Sequence, residues 1–196
     1  MKLVVFAKAP VMGRAKTRLA AGIGNVHALR LYRAMTARVL RNVRDARWRT
    51  VVAVSPDRAR VKLWEGVATV PQGGGSLSPR LARAMDVRGP VCVIGTDCPQ
   101  VGARDVADAF ALLRTHDVVL GPADDGGFWL VGARKAEAWA EAGMFAGVRW
   151  STEHALADVR GNVERAGGRV GELRTLVDVD DVAALAAVRA VGQRFV

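Results

Sequence analysis

Short apolar runs, each closed by a turn and interleaved with stretches of helical periodicity, restrict this chain more than any other feature. Residues 3–7 (Leu3-Val4-Val5-Phe6-Ala7), 50–54, 67–70, 91–94 and 117–120 have the length of strands. Between them, Leu29, Tyr32, Met35, Val39 and Val43 recur at three- and four-residue steps, which predicts a helix over about 25–45 with one buried face. Val106, Ala109, Phe110 and Leu113 repeat the pattern over 103–114. Ser76 or Ser78 is placed to cap a helix running through Met85, with Pro79 allowed in its first turn. Strands alternating with helices predict an α/β domain with a mostly parallel sheet. The wholly apolar Val91-Cys92-Val93-Ile94 predicts a central strand covered on both faces. Further on, the pattern predicts a strand at 128–131, a helix starting near Ser151 or Thr152, a strand at 173–177 and a helix from about Asp181.

A chain of 196 residues suits one domain spanning 1–196. Hydrophobic residues make up 51% and aromatics 6%, so the core is aliphatic. No apolar window reaches membrane-spanning length, and Lys8 interrupts the opening run before it resembles a signal segment, so a cytoplasmic protein is expected. The net charge of +10 comes mainly from arginines scattered along predicted helices, without a run of like charge. That distribution suits general solubility better than nucleic acid, and an anionic small substrate is compatible with either; neither a nucleic-acid nor a membrane partner is expected. Cys92 and Cys98 are too few for a disulfide framework or a zinc site and read as packing residues.

Chemistry concentrates where strands end. Lys8, Arg14, Lys16 and Arg18 surround Gly13 directly after the first strand, with Pro10 in the same loop. Ligands of open α/β sheets bind outside the carboxyl ends of strands, and lysine and arginine there suit a diphosphate or triphosphate. The glycine–lysine spacing is not that of a Walker loop; a solvated basic turn is the bland alternative. Asp97, in Gly95-Thr96-Asp97-Cys98-Pro99, follows the central strand and suits a Mg²⁺ that one or two carboxylates share with substrate phosphates; capping the next helix is the competing role. Asp124 and Asp125 precede Gly126 and Gly127, where Asp125 is a second candidate metal ligand and an ordinary Asp-Gly hairpin turn is an equal alternative. Gln72, Gly73 and Arg80 form a weaker glycine-rich candidate for the nucleotide, and Trp150 and Thr152 for the acceptor. Trp129 reads as core or pocket wall, not as a base-stacking platform. The three histidines have no nucleophile to pair with.

Taken in order, K-x-P-x-x-G-x-x-K-T-R-L, Q-G-x-G-x-L-x-x-R-L, G-x-D-C-P, G-P-A-D-D-G-G-F and W-S-T resemble one family over nearly the whole chain. It comprises small bacterial proteins of the nucleotide-diphospho-sugar transferase (GT-A-like) superfamily. Formerly a domain of unknown function, it is labelled a radical-SAM- or selenodomain-associated transferase, or a glycosyltransferase. The resemblance implies a Rossmann-like mixed sheet flanked by helices and a nucleotide over the strand ends. It implies that Lys8, Gly13, Lys16 and Arg18 form the nucleotide-phosphate loop, that Asp97 binds Mg²⁺ or Mn²⁺, and that Asp124 and Asp125 form the acidic loop. The chain departs from the pattern at Ser78, where glycine is common, and at Asp178-Val179-Asp180-Asp181, which lacks the usual Thr-Pro, so the resemblance leaves the roles of Arg80 and Asp180 open, and with them whether Asp124, Asp125 or Asp180 completes the metal site. The first loop also looks like those of guanylyl- and cytidylyl-transferring members. The expected partners are a nucleoside triphosphate, or alternatively a nucleotide-sugar, and a small acceptor. In the first case Lys16, Arg18 and Asp97 are the expected catalytic residues. A non-catalytic nucleotide-binding protein is a further alternative, and the oligomeric state stays open.

Overall fold

A computed structural model describes residues 1–190. Seven strands form one sheet: β1 (Lys2–Lys8), β2 (Arg49–Ser55), β3 (Ala68–Pro71), β4 (Val91–Ile94), β5 (Val118–Pro122), β6 (Phe128–Ala133) and β7 (Val170–Glu172). Their order across the sheet is β3-β2-β1-β4-β6-β5-β7. β1 pairs in parallel with β2 and β4, β2 with β3, and β5 with β7, whereas β6 runs antiparallel to both of its neighbours. The expected mostly parallel mixed sheet is therefore present, and six strands end at one edge. β4 is buried along its whole length, as its unbroken apolar sequence requires.

The helices are α1 (Thr17–Ile23), α2 (Asn25–Asn42), α3 (Leu77–Met85), α4 (Ala103–Leu112), α5 (Ala136–Glu141), α6 (Ala155–Arg165) and α7 (Val182–Ala190). One apolar cluster joins α2 and α4 to a sheet face through Val39, Val43, Val106 and Phe110 against Leu3, Val5 and Ile94. A second covers the other face with Met85 of α3 and Val159 and Val163 of α6. A third packs α1, α2 and α7 through Leu19, Met35, Leu185 and Val188. None of the helices is long and apolar enough to cross a membrane among the described residues.

Several boundaries differ from the sequence expectation. α2 ends at Asn42, although Val43 still packs in the core, and α4 ends at Leu112. α6 starts at Ala155, because Ser151, at φ 62°, turns the chain before the helix can begin. The late strand is Val170–Glu172, not 173–177; only Leu176 of the expected segment makes a bridge, to Ala123. The short helices α1 and α5 carry too few turns to show a period. The predicted single domain extends to residue 196, and 191–196 lie outside the described residues.

Candidate functional site

The loop between β1 and α1 reverses the chain with little backbone. Val11 N–H donates to the Ala9 carbonyl and Arg14 N–H to that of Val11, at 2.8 and 3.1 Å. Gly13 sits at φ 72°, a conformation open to glycine. Lys16 is the last residue before the helix and also lies in the left-handed region, at φ 55° and ψ 49°. For a residue with a Cβ this is costly unless the surroundings fix it. Its side chain turns inward and is only 4% exposed.

The turn after β4 meets it. Lys16 Nζ lies 2.8 Å from Asp97 Oδ1. Asp97 does not serve as the cap of α4: Asp105 accepts the Gly102 N–H at 2.9 Å and performs that task. The Asp97 carboxylate thus faces the loop that follows β1.

A third strand-end segment completes the centre. After β7 the chain crosses the sheet edge: Leu176 N–H donates to the Pro122 carbonyl, and Asp124 N–H to that of Leu176. Asp178 N–H donates to Asp124 Oδ1 at 3.0 Å, and Val179 N–H to the Asp97 carbonyl. This path delivers Asp180 Oδ1 to 3.1 Å and Asp178 Oδ1 to 3.6 Å from Lys16 Nζ. Arg18 reaches the other Asp180 oxygen at 3.3 Å. Burial opposes the Lys16 charge, but Asp97, Asp178 and Asp180 outweigh it and hold the ammonium above its ordinary range. Burial, then the neighbouring Asp97, pushes Asp178 up to about 7. Its Oδ1 is buried and accepts no hydrogen bond.

These oxygens fit a hard divalent cation, which takes one or two carboxylates together with substrate phosphates. Among the described residues they do not form a ready-made cage of three acidic ligands, since they gather around the ammonium instead. Asp125, the other predicted metal ligand, is turned back on its own loop, where its Oδ1 accepts the Gly127 N–H at 2.9 Å.

The remaining predicted residues fall into two groups around this centre. On the β1 side, Lys8 and Arg14 are exposed and Pro10 half-buried. Gln72 is buried, and its amide donates to the carbonyls of Ala53 and Ala7, at 2.8 and 3.3 Å. Gly73 N–H donates to Asp57, and Arg80 Nε to the Gly75 carbonyl of the same glycine-rich loop. On the β5 side, residues 123–127 form the hairpin turn, with Ala123 N–H donating to the Gly127 carbonyl. Gly126 packs directly on the backbone of Glu153, where a Cβ would come within 2.4 Å. Trp150 is half-buried beside Phe128, and its Nε1–H donates to Ser78 Oγ, which itself donates to the Phe145 carbonyl. Ser78 thus ties α3 to Phe145 and Trp150. Thr152 is exposed and donates to the Arg149 carbonyl. Both cysteines and Trp129 are core residues. A surface hollow of about 370 Å³ around Val61, Trp64 and Val67 includes none of the residues that gather at Lys16.

Sequence reasoning left open whether Asp124, Asp125 or Asp180 completes the metal site, and it did not place Asp178 at the centre. The signal available was the acid-rich Asp178-Val179-Asp180-Asp181; its contact with Lys16 spans most of the chain and leaves no local periodicity.

A family model described as "Uncharacterized protein conserved in bacteria (DUF2064)" matches residues 38–152. A provisionally named nucleotide-diphospho-sugar transferase from Desulfovibrio desulfuricans G20 is 28% identical, with a TM-score of 0.89 over 98% of this chain and 87% of that one. The 2-C-methyl-D-erythritol 4-phosphate cytidylyltransferase of Thermus thermophilus shares the fold, with a TM-score of 0.57 at 15% identity over 97% of each chain. So does Rv0371c of Mycobacterium tuberculosis H37Rv in complex with manganese, at 0.53 and 18%, over 95% of this chain and 96% of that one. No curated protein matches.

Proposed function

The chain belongs to the DUF2064 family and has the fold of nucleotide-using transferases, and on that premise we propose that it is a divalent-metal-dependent nucleotidyltransferase. The observation that carries this reading is the 2.8 Å contact between Lys16 and Asp97. It joins the phosphate-loop cation and the metal-ligand candidate at one point over the strand ends. The donor is a nucleoside triphosphate and the acceptor a small phosphorylated molecule.

Asp97, with Asp178 or Asp180, holds Mg²⁺ or Mn²⁺. The manganese found with Rv0371c supports such an ion. When bound, the ion supplies charge neutralisation and polarisation at the phosphoryl group. Lys8, Arg14 and Arg18, with the backbone N–H groups around Gly13, orient the triphosphate. An acceptor phosphate oxygen attacks the α-phosphorus and the α–β anhydride bond breaks. Lys16 and Arg18 stabilise the charge on departing pyrophosphate. The hairpin at Asp124, Asp125, Gly126 and Gly127, with Trp150 and Thr152, positions the acceptor. Such chemistry asks mainly for positioning and electrostatics, in agreement with a centre built only of lysine, arginine and aspartate.

The test is pyrophosphate release from single triphosphates with Mg²⁺ and a panel of phosphorylated acceptors, lost in Asp97→Ala. The second reading, a glycosyltransferase, is favoured by the name of the Desulfovibrio relative. Stabilisation by a nucleotide-sugar but by no triphosphate, with nucleoside diphosphate as product, would replace the first reading with it.

A further inference from the structure

The carboxylate centre already contains one of the protein's own cations. The Lys16 ammonium lies between Asp97, Asp178 and Asp180, at 2.8, 3.6 and 3.1 Å, on a side chain 4% exposed. A magnesium-sized ion binds carboxylate oxygens at about 2.0–2.1 Å. It cannot share that point with an ammonium group, because two cations against the same oxygens repel each other strongly at such range. Lysine, unlike arginine, carries its charge as a compact group on a flexible stem, so it can leave without breaking a planar fork of bonds. Lys16 is held at φ 55° at the joint between the loop and α1, a conformation that the three ion contacts help to fix.

Building on the nucleotidyl-transfer reading, we propose that Lys16 is a place-holding cation: it neutralises the carboxylate centre in the unliganded protein and is displaced by an incoming divalent ion, moving onto the phosphates that the ion carries. The ligand is a divalent cation chelated by a polyphosphate. The metal alone must compete with a well-placed lysine, and therefore binds weakly. With phosphate present the displaced ammonium gains a new partner, so metal and nucleotide strengthen each other's binding, by the same factor in both directions. Lys16 acts in this way as a positioning residue before it stabilises any leaving group.

Two measurements test the exchange. Mn²⁺ alone, titrated by electron paramagnetic resonance, should bind Lys16→Met and Lys16→Gly at least tenfold more tightly than wild type, while Lys16→Arg stays close to wild type. Lys16→Gly accepts the positive φ without strain, and thermal melts in chelator confirm that each variant is folded. Equal or weaker Mn²⁺ binding by folded Lys16→Met and Lys16→Gly overturns the proposal. The second measurement uses only the wild type: acylation of Lys16 by an amine-reactive reagent, followed by mass spectrometry. The rate should rise severalfold in saturating Mg²⁺ over chelator; an unchanged or slower rate overturns the exchange. A protein that passes both tests yet releases no pyrophosphate would sink the transfer reading alone. An active enzyme that fails them would sink only the exchange.

Discussion

The turn that follows β1 and the segment that follows β7 meet at one ammonium group, and they reach it by opposite means. Lys16 is placed by covalent continuity: a buried strand, a tight turn and the start of α1 leave its backbone few choices. Asp178 and Asp180 are placed by docking. Their segment is held by Leu176 on Pro122 and Asp124, by Asp178 N–H on the Asp124 carboxylate, and by Val179 on Asp97. Arg174 fixes its start to α4 through paired hydrogen bonds to Asp105, at 2.7 and 3.0 Å. A side that depends on docking can be loosened from a distance, whereas one set by strand exits is disturbed only from within.

The contrast between the two sides can be broken in four places. Asp97→Ala removes the carboxylate that pairs with Lys16 and keeps the main-chain carbonyl on which Val179 docks, and turnover should fall by about 10²–10³-fold, the usual effect of losing one preorganised electrostatic contact. A variant that retains full pyrophosphate release would remove Asp97 from the chemistry. Gly126→Ala attacks the hairpin on which the late segment docks, without touching Lys16 or Asp97. A Cβ there meets the Glu153 backbone and must adopt φ 83°. Urea unfolding should show a loss of roughly 2–3 kcal/mol; a change within error would mean that the hairpin is not pressed against the chain leading into α6. Arg174→Met leaves the Asp105 carboxylate short of its partner, and the expected cost is about 1 kcal/mol because the arginine is more than half exposed. If the docked side is the weaker one, amide hydrogen exchange in this variant accelerates at Asp178 and Val179 and stays unchanged in β4.

The smallest effect concerns pH. Burial, then Asp97, raises Asp178 to about 7, above its value in the unfolded chain. A carboxyl raised in this way contributes stability that is fully present below the unfolded carboxylate range and is lost as pH rises through about 7. In chelator, therefore, wild type should lose on the order of a few °C of melting temperature relative to Asp178→Asn between pH 4 and pH 7. Parallel curves for the two proteins would show that Asp178 titrates normally.

Much of this molecule was readable because its information is local. The apolar run at β4 and the three- and four-residue steps of α2 led to a mostly parallel sheet flanked by helices, and the motifs led to Lys16 and Asp97. For Asp124-Asp125-Gly126-Gly127, the hairpin and the acidic loop were equal alternatives, and the fold joins them: the turn is ordinary, and its first carboxylate docks Asp178. Ser78 could not be interpreted from its neighbours, since its partners are Phe145 and Trp150.

The amino-acid sequence by itself determined where strands end and which charged residues stand at those ends, because side-chain period and turn chemistry act over a few residues. Only the tertiary structure decided that Asp178 and Asp180 close around Lys16 and that Asp125 turns away. The closure around Lys16 rests on hydrogen bonds between segments far apart in the chain and on the need to neutralise a buried ammonium, neither of which leaves a mark in local spacing; Asp125 turns away through a local bond to Gly127 N–H, and the fold chose between two roles that the Asp-Gly sequence allows equally.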